Sequence, residues 1–297
     1  MITGKTQLLG VVGHPIEHSL SPVMHNAALE ALGVDYVYVP FAVAPEDLAA
    51  AVEGFQAIGI RGFNVTIPHK QTIMPLLASI SDLAQAVGAV NTVCWTEQGW
   101  SGTNTDVEGF VAPLRSFSQD WNQSKAVVLG NGGAARAVVA GCAQLGCSQV
   151  QVVGRNAEKL QDFAHSWENS PIPVNLSIHS WDELPRLLPE AALLVNTTPV
   201  GMAPHPHASP LTIADLQHLS PHTIAYDLIY TPRPTQFLQQ ASAQGAIPID
   251  GLEMLVQQGA VGLKLWLQRA VPVEIMRQSL LAYLGEAAKG NLKGDDR

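Results

Sequence analysis

Charge is scarce in this chain. Asp, Glu, Lys and Arg make up 14% of its 297 residues, and acidic groups outnumber basic ones, 25 to 16. The net charge of -9 argues against nucleic acid or an anionic membrane as the main partner. Cysteine is scarcer still. Cys94, Cys142 and Cys147 form no metal or redox spacing, and an odd, sparse set fits a reducing compartment. No apolar run approaches the roughly 20 residues of a membrane span, and Met1-Ile2-Thr3-Gly4-Lys5 opens no secretory signal. A cytoplasmic globular protein is expected. There is no internal repeat, and the tail Lys289–Arg297 is polar and expected to fray. What is present is a 47% hydrophobic composition and enough length for two domains.

The first third alternates candidate strands and helices. Strands are expected at Gln7–Val12, Tyr36–Val43, Gly62–Thr66 and Ala89–Trp95. Helices are expected at Pro22–Leu32, Pro45–Ile58 and onward from Pro68. Strict alternation implies an open α/β sheet. A helix near Val107–Arg115 and a polar loop lead to the strand Ala126–Leu129. Further strands are expected at Leu193–Val195, Ile224–Asp227 and Ile247–Ile249, and two long helices, Leu252–Leu267 and Pro272–Leu284, close the chain. Two α/β domains with a cleft between them are expected.

The strand Ala126–Leu129 runs into Gly130-Asn131-Gly132-Gly133-Ala134, followed by an alanine-rich helix that stops at Gly146. Strand, glycine turn and helix in that order aim backbone N–H groups and the positive end of the helix dipole at one spot, where an anion can reach the backbone. Gly130, Gly132 and Ala135 fit the dinucleotide fingerprint G-x-G-x-x-G/A in its required context. The next strand, ending at Gly154, carries no acidic residue for a ribose 2′-hydroxyl. It carries Arg155, Asn156 and, a short reach away, Lys159. A guanidinium and an ammonium suit a 2′-phosphate, which predicts NADP over NAD.

Several polar clusters interrupt apolar segments. In Ser19-Leu20-Ser21-Pro22, Ser21 is a good N-cap with Pro22 at the first helical position, and the two serines also suit a small carboxylate. Lys70, two residues after Pro68, falls in the first turn of the expected helix. A cation is disfavoured there, so the position suits acid–base work; a solvated surface lysine is the alternative. Asn91 and Thr92 put polar side chains in an apolar strand, where they need partners. Asp106 either caps the following helix or faces a cleft and pairs with Lys70. Thr197, in Asn196-Thr197-Thr198-Pro199, follows a strand and can line the nicotinamide or diphosphate side. His14/His18 and His205/His207 sit beside prolines without further ligands, so no metal site is expected.

Five ordered motifs together resemble the shikimate dehydrogenase family over nearly the whole chain. They are Ser19-Leu20-Ser21-Pro22, Asn64-Val65-Thr66-Ile67-Pro68-His69-Lys70, Gly88-Ala89-Val90-Asn91-Thr92, Asn104-Thr105-Asp106, and Asp250-Gly251-Leu252-Glu253-Met254-Leu255-Val256-Gln257-Gln258. The resemblance implies NADPH-dependent reduction of 3-dehydroshikimate to shikimate, with Lys70 and Asp106 catalytic. It implies carboxylate contacts from Ser19, Ser21 and Tyr230, and ring-hydroxyl contacts from Asn64, Thr66, Lys70, Asn91, Asp106 and Gln258. It implies NADP contacts from residues 130–134, Arg155 to Lys159, Leu228 and Gly251, with the C-terminal helices on the first domain. The implied division is 1–106 with 252–297 for substrate and 107–251, Rossmann-like, for NADP. Two departures stand out: Asn131 replaces the usual small alanine, and Gly154 precedes Arg155 where asparagine is common. A quinate/shikimate dehydrogenase of relaxed selectivity, a non-catalytic ligand sensor and a generic Rossmann reductase are the competing readings. The last explains the glycine turn but not the motifs of the first third. Monomer and homodimer are both compatible with the sequence.

Overall fold

The apolar run Gln7–Gly13 forms β1, the strand on which the first sheet is built. A computed structural model describes residues 2–291, so residues 292–297 of the polar tail lie outside the described residues. The chain divides into two units: Met1–Ala84, Ala89–Thr105 and Val256–Arg297 in one, Gln85–Gly88 and Asp106–Leu255 in the other. Among the described residues no helix is long and apolar enough to cross a membrane.

In the first unit β1 is followed by α1 (Ser21–Ala31), β2 (Tyr36–Ala42), α2 (Leu48–Ala57), β3 (Gly62–Val65), β4 (Ser79–Ile80), α3 (Asp82–Val87), β5 (Thr92–Thr96) and β6 (Gly99–Thr103). The sheet order is β2-β1-β3-β5-β6-β4. β2, β1 and β3 run parallel, whereas β5 is antiparallel to both β3 and β6. Strict alternation therefore fails at β5–β6. Only Glu97 and Gln98 separate these strands, which suits a hairpin and is far too short for a crossover. The core is a run of touching rings, Phe41, Phe55, Phe63, Trp100 and Trp95, with centroids about 5 Å apart, set among Val12, Val52, Ile60 and Val65.

Two other expectations need correction here. Pro45–Asp47 is a 3₁₀ turn ahead of α2 rather than part of one helix. No helix starts at Pro68: residues 68–73 are hydrogen-bonded turns, followed by a 3₁₀ turn at Met74–Leu76. Pro75 leaves room for less than two helical turns, and Thr72 and Ile73 are β-branched. Tertiary anchoring decides the outcome. The buried His69 ring bonds the Val43 carbonyl at 2.8 Å, and Val90 N–H donates to the Lys70 carbonyl at 2.8 Å. With no helix there, the dipole argument for Lys70 falls away.

The second unit contains α4 (Asp106–Leu114), β7 (Lys125–Leu129), α5 (Gly133–Leu145), β8 (Gln149–Gly154), α6 (Ala157–His165), β9 (Leu176–Ser180), α7 (Leu184–Leu187), β10 (Ala191–Asn196), α8 (Ile213–Leu216), β11 (Ile224–Asp227), α9 (Gln236–Ala243) and β12 (Ile247–Ile249). All strands are parallel, in the order β12-β11-β10-β7-β8-β9. This is the doubly wound order, with β7 at the point where the winding reverses. Ligands bind outside the carboxyl ends of strands at such a point. Val127, Leu129, Val153, Leu194 and Ala225 are fully buried on this sheet, packed with Leu184, Leu188 and Phe237. α10 (Leu252–Leu267) and α11 (Val273–Asn291) complete the chain. α11 packs on α1, and residues from Val256 onward belong to the first unit.

Candidate active site

Across the first half of β2, the carboxyl end of β3 and the start of β5, the first unit builds a buried network of neutral polar groups. Tyr38, 1% exposed, donates its hydroxyl to Asn64 Oδ1 at 2.7 Å. Asn64 Nδ2 donates to the Asn91 carbonyl at 3.1 Å and to Thr92 Oγ1 at 3.0 Å. Asn91 is the hub. Its Nδ2 donates to Thr105 Oγ1 at 3.0 Å and to Gln258 Oε1 at 3.3 Å, and its Oδ1 accepts the Thr105 N–H at 2.7 Å. Asn64, Asn91 and Gln258, separated by up to 194 positions in the numbering, thus share one cluster, and all three are buried. The Ser21 side chain lies beside the Tyr38 hydroxyl, at the edge of this network.

Burial pushes the Tyr38 phenol well above its ordinary range, so it remains a donor throughout the working pH range. Its ring meets the edge of His25 at 4.1 Å, with Trp266 beyond at 5.8 Å from His25. His25 is fully buried without a hydrogen-bond partner on either ring nitrogen, and burial pushes it down to about 3. It is a neutral packing group. Tyr38 was not singled out by the sequence, where it is one more aromatic in Tyr36-Val37-Tyr38-Val39. Thr92 and Thr105 lie inside recognised motifs but carry no role there.

The remaining predicted residues fall at strand and helix ends. Ser19 is half-buried and Ser21 buried at the start of α1. Ser21 is not the N-cap. The helix begins at Ser21, Leu20 occupies the cap position without a side-chain bond, and Ser21 N–H donates to Ser19 Oγ at 3.4 Å. Thr66 follows β3, its N–H bonded to the Val12 carbonyl at 2.9 Å. Lys70 is half-buried in the turn segment. Asp106 is buried and opens α4; it belongs to the second unit, as does half-buried Tyr230 beyond β11.

In the second unit Gly130 follows β7 with φ +101°, a left-handed conformation that favours glycine. A Cβ there would stand 2.8 Å from Thr197 Oγ1, while one on Gly132 would meet nothing within 4 Å. The backbone at Gly132 is thus open, and no side chain caps α5 there. Unbonded N–H groups at a helix start beside an open glycine fit a diphosphate. Asn131 and Ala134 are part of this turn and first helical stretch. Thr197, after β10, donates its hydroxyl to the Leu129 carbonyl at 2.7 Å, so it braces the turn internally. Leu228 N–H donates to the Asn196 carbonyl at 3.1 Å, and Gly251 lies so close that a Cβ would stand 2.1 Å from the Leu228 carbonyl oxygen.

Asp227 ties these loops together. It accepts from Asn196 Nδ2 at 3.0 Å, Ile229 N–H at 3.1 Å and Thr235 Oγ1 at 2.7 Å, and burial pushes its carboxyl up to about 6 against those bonds. Arg155 is exposed after β8. Asn156 caps α6 by accepting Lys159 N–H at 2.9 Å, which fixes Lys159 one turn from Arg155. Among the described residues neither Arg155 nor Lys159 has a carboxylate within 4.0 Å, although other cations of this acidic chain do. Two unpaired cations at this strand end fit a 2′-phosphate.

The sequence matches family profiles along its length. Residues 11–93 match the shikimate dehydrogenase substrate binding domain, residues 114–228 match shikimate/quinate 5-dehydrogenase, and residues 251–281 match the shikimate 5′-dehydrogenase C-terminal domain. A shikimate dehydrogenase (NADP(+)) from Nostoc sp. is 63% identical over 287 residues, covering 96% of this chain and 99% of the relative. A crystal structure of a shikimate dehydrogenase in complex with NADP+ superposes with a TM-score of 0.84 at 36% identity, covering 96% of this chain and 98% of the other. A shikimate 5-dehydrogenase from Thermus thermophilus in complex with NADP(H) and shikimate gives 0.81 at 34% identity, covering 92% and 98%. Fold, motifs and full-length identity agree, and the chain belongs to the shikimate dehydrogenase family.

Proposed function

We propose that this chain catalyses the reversible NADPH-dependent reduction of 3-dehydroshikimate to shikimate, with Lys70 as the acid–base residue. The observation that carries the reading is the 63% identity, over almost the full length of both chains, to a shikimate dehydrogenase (NADP(+)). Bound NADPH supplies the hydride that the ketone carbon accepts. The Lys70 ammonium gives a proton to the developing alkoxide, and in the oxidative direction the neutral amine takes it back. Asp106 orients Lys70 and the substrate hydroxyl. A matched proton donor contributes about 10²–10⁴-fold to such a step.

Ser19, Ser21 and Tyr230 hold the substrate carboxylate. Asn64, Thr66 and Gln258 meet the ring hydroxyls. Asn91 joins them by giving up its 3.3 Å bond to Gln258. Both NADP phosphate regions have a fitting site: residues 130–134 for the diphosphate, Arg155, Asn156 and Lys159 for the 2′-phosphate, with Leu228 and Gly251 lining the cofactor through backbone. Three free cysteines support work in the reducing cytoplasm. The test is absorbance at the reduced-nicotinamide band with purified protein, shikimate or quinate, and NADP or NAD. Turnover with shikimate and NADP is expected. Tight shikimate binding without turnover would favour a ligand sensor, and equal use of quinate would favour the relaxed enzyme.

A further inference from the structure

The 2′-phosphate reading leaves one question about Arg155. An exposed arginine loses rotamer freedom when it is fixed on a ligand. The structure shows what limits that loss. The Arg155 guanidinium lies over the ring of Trp181, 4.7 Å from its centroid. Arg155 follows β8 and Trp181 follows the neighbouring β9, so parallel pairing of the two strands puts both residues at the same sheet end. Trp181 is itself held. It packs, half-buried, against the core of the second unit. It also opens a 3₁₀ turn that Glu183 closes by accepting the Ser180 N–H at 3.1 Å.

Glu183, an acid in this turn, is occupied elsewhere. It binds Arg186 at 2.5 Å and His179 at 3.1 Å, and these bonds hold its carboxyl down at about 2. Stacking uses the face of a guanidinium and leaves the N–H groups in its plane unspent. An arginine so held keeps its donor edge for a phosphate.

We propose that Trp181 is a specificity-determining positioning residue: it presents Arg155 to the cofactor's 2′-phosphate and thereby favours NADP over NAD. This rests on the reading of Arg155 as a 2′-phosphate ligand. Trp181 touches neither phosphate nor substrate in this account, so its loss should be confined to ligands that bear a 2′-phosphate.

The test compares wild type, Trp181→Leu, Trp181→Phe, Arg155→Met and the Arg155→Met/Trp181→Leu double variant. The readouts are KM for NADPH and NADH and inhibition constants for adenosine 2′,5′-bisphosphate and 5′-ADP. For Trp181→Leu, the NADPH KM and the bisphosphate constant should rise about two- to five-fold, the fold-change equivalent of an exposed cation–π contact. The NADH and 5′-ADP constants and kcat should hold. Trp181→Phe should retain part of the preference, and the leucine change should add nothing once Arg155 is gone. Equal losses for both nucleotides would make Trp181 a packing residue only, and no loss would overturn the proposal outright. If Arg155→Met leaves bisphosphate binding intact, the Arg155 reading itself fails. If Arg155→Met weakens binding and Trp181→Leu does not, only the role of Trp181 fails.

Discussion

Replacing Tyr38 by phenylalanine removes one oxygen and tests whether the neutral network shapes the substrate site. The hydroxyl donates to Asn64 Oδ1 at 2.7 Å inside a cluster where Asn64 is 6% exposed. Without it that oxygen loses its donor. Asn64 is unable to flip and compensate, because its Nδ2 is held by the Asn91 carbonyl at 3.1 Å and Thr92 Oγ1 at 3.0 Å. A buried acceptor left without a partner costs about 1–3 kcal/mol. Part of that penalty appears as lower stability in urea unfolding. The other part appears in the substrate complex, because Asn64 loses the group that orients it. Tyr38→Phe should lower unfolding stability by about 1–3 kcal/mol. It should also raise the shikimate KM by about two- to ten-fold, equivalent to roughly 0.4–1.4 kcal/mol. The NADPH KM is the internal control and should not move. Unchanged stability together with an unchanged shikimate KM would refute the reasoning, since the oxygen would then hold nothing in place.

Lys70→Ala should lower kcat by about 10²–10⁴-fold with a much smaller rise in shikimate KM; the reverse pattern in steady-state kinetics would assign Lys70 to binding alone. Gly251→Ala should both destabilise the protein and raise the NADPH KM, because its Cβ would stand 2.1 Å from the Leu228 backbone oxygen; thermal unfolding and cofactor kinetics that match wild type would show that the loop has room. His25, pushed down to about 3 by burial, is neutral when folded and protonates near 6.5 when unfolded. Its stabilising contribution is therefore complete above about pH 6.5 and is lost by about 1.4 kcal/mol per pH unit as pH falls towards 3, so His25→Leu should flatten the acid limb of stability against pH. Asp227 has the opposite sign: with its carboxyl pushed up to about 6, the native state loses stability as pH rises from about 4 to 6, by at most about 3 kcal/mol, and Asp227→Asn should remove that slope in the same urea titration.

The second unit was the more legible half. A glycine turn between an apolar strand and an alanine-rich helix has few other structural uses, and α5 ends at Gly146 in the left-handed conformation as the sequence indicates. Its sheet order was not readable from the chain, because strand neighbours are set by which apolar faces pack and not by chain order. In the first unit, the hairpin β5–β6 and the two-residue β4 were hidden. Tryptophans and threonines at positions 92–103 serve either a crossover or a hairpin, and only the two-residue link decides. The turn segment around Lys70 was misread for a related reason. Proline after a strand suggests a helix start, but the buried His69 ring and its bond to Val43 outweigh local propensity. The candidate polar residues themselves were visible as amides and hydroxyls inside apolar runs. Their partner Tyr38 was not, since an aromatic in a strand gives no sign that its hydroxyl holds Asn64.

The two units offer a ligand different kinds of group. The cofactor corner relies on fixed charges and backbone dipoles, which attract any phosphate and need a further device, such as an oriented arginine, to distinguish one nucleotide from another. The cluster around Asn64 and Asn91 contains amides and hydroxyls that already satisfy one another. On the proposed function, a polyhydroxylated ring would enter such a cluster by exchange, its hydroxyls taking over bonds such as that between Asn91 and Gln258. An analogue that lacks a hydroxyl breaks a bond and returns none, and the buried group it strands carries the full desolvation cost. On the proposed function, selectivity for the ring would arise from neutral groups held in advance by their neighbours, and Tyr38, which holds Asn64, would matter to recognition without touching the ligand.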